Sequence, residues 1–168
     1  MHRENLIKLE KGAVIAFEEY GNANGEPVIF CHGWPSSRIM ARLTDEPARD
    51  LGIRIISPDR PGISGSSLQP DRKLTDWPAL VERIADHLAI RDFRMLAISG
   101  GAPYAYATAA AMPERVRAMA IVGGAPPLAE VSDTKALLPL YRGAPGSLIA
   151  AACPSSSTGF KNAIVTAV

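Results

Sequence analysis

The stretch Arg94-Met95-Leu96-Ala97-Ile98-Ser99-Gly100-Gly101-Ala102-Pro103-Tyr104 decides how this chain is read. An apolar run of strand length reaches a serine and turns at once into small residues and a helical pattern. Such a turn lifts its side chain clear of the sheet, and the amides behind it open a helix whose partial positive end favours a developing oxyanion. Ser99 is therefore a candidate nucleophile. Ala97 and Gly101, two positions before and after it, are small as so tight a turn requires, because a bulkier side chain would strike the neighbouring strand or helix. The same residues also fit any strand, Gly-rich turn and buried helix of a doubly wound protein, with Ser99 only capping the helix. The surrounding chain has to separate the two readings.

Before this stretch, Leu6, Ile7 and Leu9 and then Val14 to Phe17 alternate around Lys11-Gly12, as in a β-hairpin. Val28 to Cys31 is a continuous apolar run, expected to be a strand buried on both faces. The loop His32-Gly33-Trp34-Pro35-Ser36-Ser37 follows, with Ser36 or Ser37 placed to cap a helix running to about Asp50. Ile53 to Ser57 is the next strand, ending in the Pro- and Gly-rich loop Pro58 to Ser66. Thr75 is placed to cap a helix in which Trp77, Leu80, Val81, Ile84 and Leu88 recur at helical spacing. Beyond the opening stretch, an Ala-rich helix to Met112 leads to a strand from Val116 to Val122. This alternation specifies an α/β fold: a mostly parallel sheet with an antiparallel first hairpin and helices on both faces. The core is expected over residues 1–124. After it the alternation stops. Ser132 to Tyr141 reads as helical, and from Gly143 the chain is rich in Gly, Ala, Ser and Pro, with a weak apolar close at Ala163 to Val168 that makes no convincing strand.

A length of 168 residues fits about one domain, and 47% hydrophobic with 21% charged residues is ordinary for a globular protein. A net charge of +1, without a dense Lys/Arg block, gives no reason to expect nucleic acid or an anionic membrane as partner. The apolar run Ala105 to Ala111 is too short for a membrane span and is stopped at Pro113. Cys31 and Cys153 sit in dissimilar contexts and suggest no disulfide framework. With no secretory leader at the amino terminus, a cytoplasmic location is the expectation. Gly100-Gly101 and Gly123-Gly124 lack the spacing of nucleotide-binding loops, and the histidines and cysteines lack metal-ligand spacing. No cofactor and no metal are expected.

Three loops thus fall at the carboxyl ends of strands, the edge where open α/β sheets bind ligands. His32-Gly33-Trp34-Pro35 resembles the H-G-x-P loop of α/β-hydrolases. Asp59-Arg60-Pro61-Gly62-Ile63-Ser64-Gly65-Ser66 is similar to the family's D-R-x-G-x-G-x-S loop, with Ser64 where a glycine is usual. Ala97 to Gly101 resembles its G-x-S-x-G nucleophile elbow, with Ala97 at the first glycine. The resemblance covers about Val14 to Gly124. It implies that the N–H groups of Trp34 and Gly100 form an oxyanion hole and that His32, Gly33 and Tyr104 lie on the substrate side. A serine in the elbow points to esterases and lipases and to transfer of a small acyl group from an ester or amide, since the epoxide hydrolases and haloalkane dehalogenases of this fold use aspartate there.

In this family the triad follows the order Ser, Asp or Glu, His. Glu130 or Asp133 stands where some members carry the acid. His2, His32 and His87 all precede Ser99, so the base is absent. His32 is expected to brace the oxyanion loop, His87 to lie on a helix surface and His2 at a mobile terminus. The family continues with a helical cap and further strands. Ser132 to about Ala152 looks like the start of that cap, so residues 125–168 are expected to hold a cap fragment and an irregular tail, truncated before the last strands. An edge beside Val116 to Val122 left uncovered would offer self-association. Two functions follow from the resemblance: an incomplete serine hydrolase acting on a small acyl substrate, or a catalytically inactive module binding a small ligand or a protein partner. A histidine lent by another subunit is a third.

Overall fold

The computed structural model describes residues 5–124 and 164–167, the last four as backbone. Asn5–Lys8 (β1) and Val14–Gly21 (β2) form the expected antiparallel hairpin, with Leu6 opposite Ala16 and Ile7 opposite Ile15. Five further strands are parallel to one another: Glu26–Cys31 (β3), Ile53–Pro58 (β4), Phe93–Ile98 (β5), Val116–Val122 (β6) and Ile164–Ala167 (β7). The sheet order is β1-β2-β4-β3-β5-β6-β7. After β3 the chain moves one way to β4, then returns past β3 to lay down β5. The order therefore reverses between β3 and β5, and the crevice outside their carboxyl ends is where such sheets bind ligands. The His32 loop leaves β3 and the Ser99 turn leaves β5.

Alternation along each strand supplies a core to each face. Ile29 and Cys31 join Phe17, Ile56 and Met95 on one side, under Trp77, Val81 and Ile84 of helix α2 (Trp77–His87) and Ala102, Ala105 and Ala109 of helix α3 (Ala102–Ala111). Val28 and Phe30 face the other side with Tyr20 and Ile55, against Ala41 and against Ala48 of helix α1 (Asp45–Asp50). Val28 to Cys31 is thus buried on both faces, as its unbroken apolar run requires.

Three expectations are corrected. The helix from Ser37 to Asp50 is split into a 3-10 segment, Arg38–Thr44, and α1; neither Ser36 nor Ser37 caps it. The Arg38 amide donates instead to the Asp59 carboxylate at 2.7 Å, so the cap comes from another loop. Thr75 lies inside a 3-10 turn, Leu74–Asp76, and it is Asp76 that accepts from the Lys73 amide at 2.7 Å. The close of the chain is a strand after all. Ile164 lies opposite Met119 and Ala167 opposite Val122, so β7 covers the edge of β6. Ile164, Val165 and Thr166 are β-branched and suit a short parallel strand whatever the composition of the residues before them. Among the described residues the outer strand on this side of the sheet is therefore β7 and not β6. The helical reading of Ser132 to Tyr141 falls outside the described residues, among which no helix is long and apolar enough to cross a membrane.

Candidate active site

Ser99 follows the last residue of β5 with φ 51, a left-handed conformation that non-glycine residues adopt only where surrounding structure enforces it. The enforcement is visible at Gly101. A Cβ there would lie 2.1 Å from the Cys31 carbonyl oxygen and 2.9 Å from that of His32. The turn is wedged against the end of β3, and only glycine fits. A 3-10 turn over Ser99–Gly101 then feeds α3, which has Pro103 in its first turn. Ser99 itself is partly exposed.

The loop after β3 abuts this turn. A Cβ on Gly33 would stand 3.5 Å from the Ser99 Cβ, and one on Gly100 would stand 3.6 Å from the Trp34 nitrogen. Trp34 is 67% exposed and its peptide bond to Pro35 is cis. Neither the Trp34 nor the Gly100 amide has an acceptor among the described residues. The structure therefore brings together the four backbone and side-chain groups at Gly33, Trp34, Ser99 and Gly100 that the sequence placed in one site.

His32 is turned inward, 1% exposed, with Nδ1 2.9 Å from the Gly33 carbonyl oxygen and 3.1 Å from Arg60 Nη2. A neutral ring makes one of these bonds at a time, donating to the carbonyl or accepting from the arginine. Burial, reinforced by the Arg60 charge, holds the imidazole down to about 4 against the opposing pull of the Gly33 carbonyl and Asp59. His32 braces the loop as a neutral ring. His87 is exposed at the end of α2, edge-on to Phe17. Among the described residues no histidine is hydrogen-bonded to Ser99. Glu130 and Asp133 lie outside the described residues.

Sequence reasoning passed over Arg60, quoting it only as part of a loop pattern. It is 6% exposed, and its guanidinium donates to the Gly33 carbonyl at 2.9 Å and the Gly100 carbonyl at 3.2 Å. Tyr104, expected near substrate, lies under it, with the guanidinium 4.8 Å from the ring centroid and Trp77 edge-on at 5.4 Å. Cys31 borders the same closed space, and burial pushes its thiol up to about 12. Beside the oxyanion loop an open hollow of about 670 Å³ is lined by Ser36, Ile39, Met40, Leu43 and Ile63. Met40 Sδ accepts from the Gly33 amide at 3.5 Å, which ties the hollow to the loop.

Residues 26–149 match the alpha/beta hydrolase fold family. A non-heme chloroperoxidase of Streptomyces lividans is 32% identical over 137 residues, 76% of this chain and 47% of that protein. The thioesterase domain from the curacin biosynthetic pathway superposes with a TM-score of 0.68 at 22% identity, over 79% of this chain and 49% of that one. Epoxide Hydrolase A from Mycobacterium thermoresistibile superposes at 0.64 with 23% identity, over 73% of this chain and 39% of that one. Likeness at these identities is one of fold. The chain spans 34% to 47% of the length of the curated relatives it matches.

Proposed function

The chain belongs to the alpha/beta hydrolase fold family, and from that premise we propose that it carries the nucleophile and oxyanion hole of a serine hydrolase acting on a small acyl ester or amide. Ser99 Oγ, losing its proton to solvent, adds to the acyl carbonyl, whose oxygen takes hydrogen bonds from the Trp34 and Gly100 amides as it gains charge. Collapse of the adduct breaks the bond to the alcohol or amine, which leaves an acyl-serine. One observation carries the reading: a serine held at φ 51 beside two amides that have no acceptor among the described residues. Gly33 contributes by its lack of a side chain and His32 by bracing the backbone. The hollow at Ile39, Met40 and Leu43 offers an apolar surface for the acyl or leaving group. Glu130 or Asp133 is the proposed acid.

Serine needs a base, and no histidine follows Ser99 in this chain. His32 cannot substitute, because it is buried and held to about 4. The chain on its own is therefore a slow acyl acceptor, several powers of ten below a complete triad on the order of magnitude set by triad deletions. A fluorophosphonate probe tests this. Labelling is expected at Ser99, absent in Ser99→Ala, and rising about tenfold per pH unit between pH 7 and pH 9, as for a hydroxyl ionising without help. A rate that levels off near neutrality would mean that a base does reach Ser99. No labelling at pH 9, or labelling elsewhere, ends the nucleophile reading. The exposed Ile39 and Leu43, at 52% and 84%, favour a second reading as a ligand-binding module. That reading requires calorimetric binding of a small apolar ester to be unchanged by Ser99→Ala.

A further inference from the structure

Resting on Trp34 and Gly100 as the oxyanion donors, we infer that Arg60 is the positioning residue of the oxyanion hole, a guanidinium that sets the direction of the Trp34 amide and ties its loop to the Ser99 turn. The carbonyl of Gly33 and the N–H of Trp34 belong to one planar peptide unit, so whatever holds the oxygen aims the hydrogen. Arg60 Nη2 holds that oxygen at 2.9 Å. On the other loop Arg60 Nη1 holds the Gly100 carbonyl at 3.2 Å; that oxygen belongs to the Gly100–Gly101 peptide, so this bond fixes the Ser99 turn against the oxyanion loop and leaves the Gly100 N–H to the turn itself.

The second part of the argument is charge. No carboxylate among the described residues lies within ion-pair distance of Arg60; its partners are two carbonyls, the His32 ring and the face of Tyr104. A cation on the oxygen end of a peptide polarises the unit and makes its N–H a stronger donor. That charge, which the Asp59 carboxylate offsets only from beyond ion-pair distance, sits at the oxygen end of the Gly33–Trp34 peptide. Tyr104 holds the guanidinium plane in place and contributes through Arg60. Only a fork with two separated donor nitrogens can bridge the loops, so lysine is not an equivalent.

Trp34 and Trp77 are the two tryptophans of the chain, so ¹⁵N-tryptophan labelling gives two backbone amide signals, assigned with Trp34→Phe. In Arg60→Lys and Arg60→Met the Trp34 signal should move, while a dispersed Trp77 signal reports an intact fold. Fluorophosphonate labelling of Ser99 at pH 9 should slow about tenfold or more in Arg60→Met, with Arg60→Lys regaining part of the loss. A Trp34 signal unmoved in both variants overturns the inference, as does an undiminished labelling rate in folded Arg60→Met. Should Arg60→Met not fold, Arg60→Lys is judged by the same two criteria, and loss of the fold there too makes Arg60 a residue of the fold rather than of the hole. A displaced Trp34 signal in a protein whose wild type never labels keeps Arg60 in this role and removes Ser99 as nucleophile.

Discussion

Two arginines are buried behind the same loops, and they are satisfied in opposite ways. Arg38 is closed off by carboxylates: Nε donates to Glu18 at 3.2 Å and Nη1 contacts Asp59, whose side chain is fully buried. Asp59 also accepts from the Arg38 amide at 2.7 Å and the Gly65 amide at 3.0 Å, so it ties the 3-10 segment to the loop after β4. Arg60, the next residue, turns the other way and meets carbonyls, an imidazole and an aromatic face. The first arrangement is a latch of two carboxylates around one guanidinium. The second leaves a positive charge at the base of the proposed site. Equal burial thus serves different ends, and what distinguishes them is the partner.

The comparison breaks most visibly at Asp59. Asp59→Asn leaves Arg38 buried with Glu18 as its carboxylate partner, and removing one member of a buried pair costs about 3–5 kcal/mol. Urea unfolding at pH 7 should show that loss, and a change below about 1 kcal/mol would mean the latch is not closed. Acid should reach the other arginine through His32. Its folded value of about 4 lies below the ordinary 6.5 of the unfolded chain, so the unfolded chain takes the proton first. Stability is full above pH 6.5 and falls from there through pH 4, by on the order of 3 kcal/mol. The share due to His32 is the difference between wild type and His32→Gln across that window. It should shrink in Arg60→Met, because the Arg60 charge is the second cause of the depression after burial.

Arg60→Met itself should cost less than Asp59→Asn, about 1–2 kcal/mol. Removing Arg60 strands no carboxylate, and the Gly33 carbonyl keeps a donor once the His32 proton settles on Nδ1. A loss as large as that of Asp59→Asn would place Arg60 in a hidden ion pair and erase the contrast.

What the sequence made legible was whatever the backbone itself dictates. Gly101 could be read as obligatory because a turn that tight excludes a side chain, and the 2.1 Å approach to Cys31 is that exclusion in space. The strands followed from apolar runs, and with them the edge on which the loops sit. Partners chosen across the fold were not legible. Nothing local says that the Arg38 amide is capped by Asp59, 21 positions on, rather than by Ser36 or Ser37. Nothing in Asp59-Arg60 says that adjacent charges diverge. Four residues of β7 were hidden by the composition around them, since a strand so short rests on pairing with β6 rather than on a pattern of its own.

Ser64 gives the smallest effect and the finest test of the latch. It stands where the family usually has glycine, and the structure supplies the reason for that usage: φ 47, a left-handed backbone that costs a serine about 1 kcal/mol. The serine recovers something, since its Oγ accepts from Arg38 Nη1 at 2.9 Å, a charge-assisted bond. Ser64→Gly relieves the backbone, loses that bond and loosens the unfolded chain, so the three terms leave stability within about 0.5 kcal/mol of the parent. The informative measurement is the same substitution made in Asp59→Asn. There Arg38 has lost one carboxylate and leans more heavily on the remaining oxygen. The double variant should be less stable than the sum of the singles by about 0.5–1 kcal/mol, the coupling expected of residues sharing one partner. Simple additivity would show that Ser64 merely lies beside the latch, and the account of why a serine is tolerated at φ 47 would have to rest on the backbone alone.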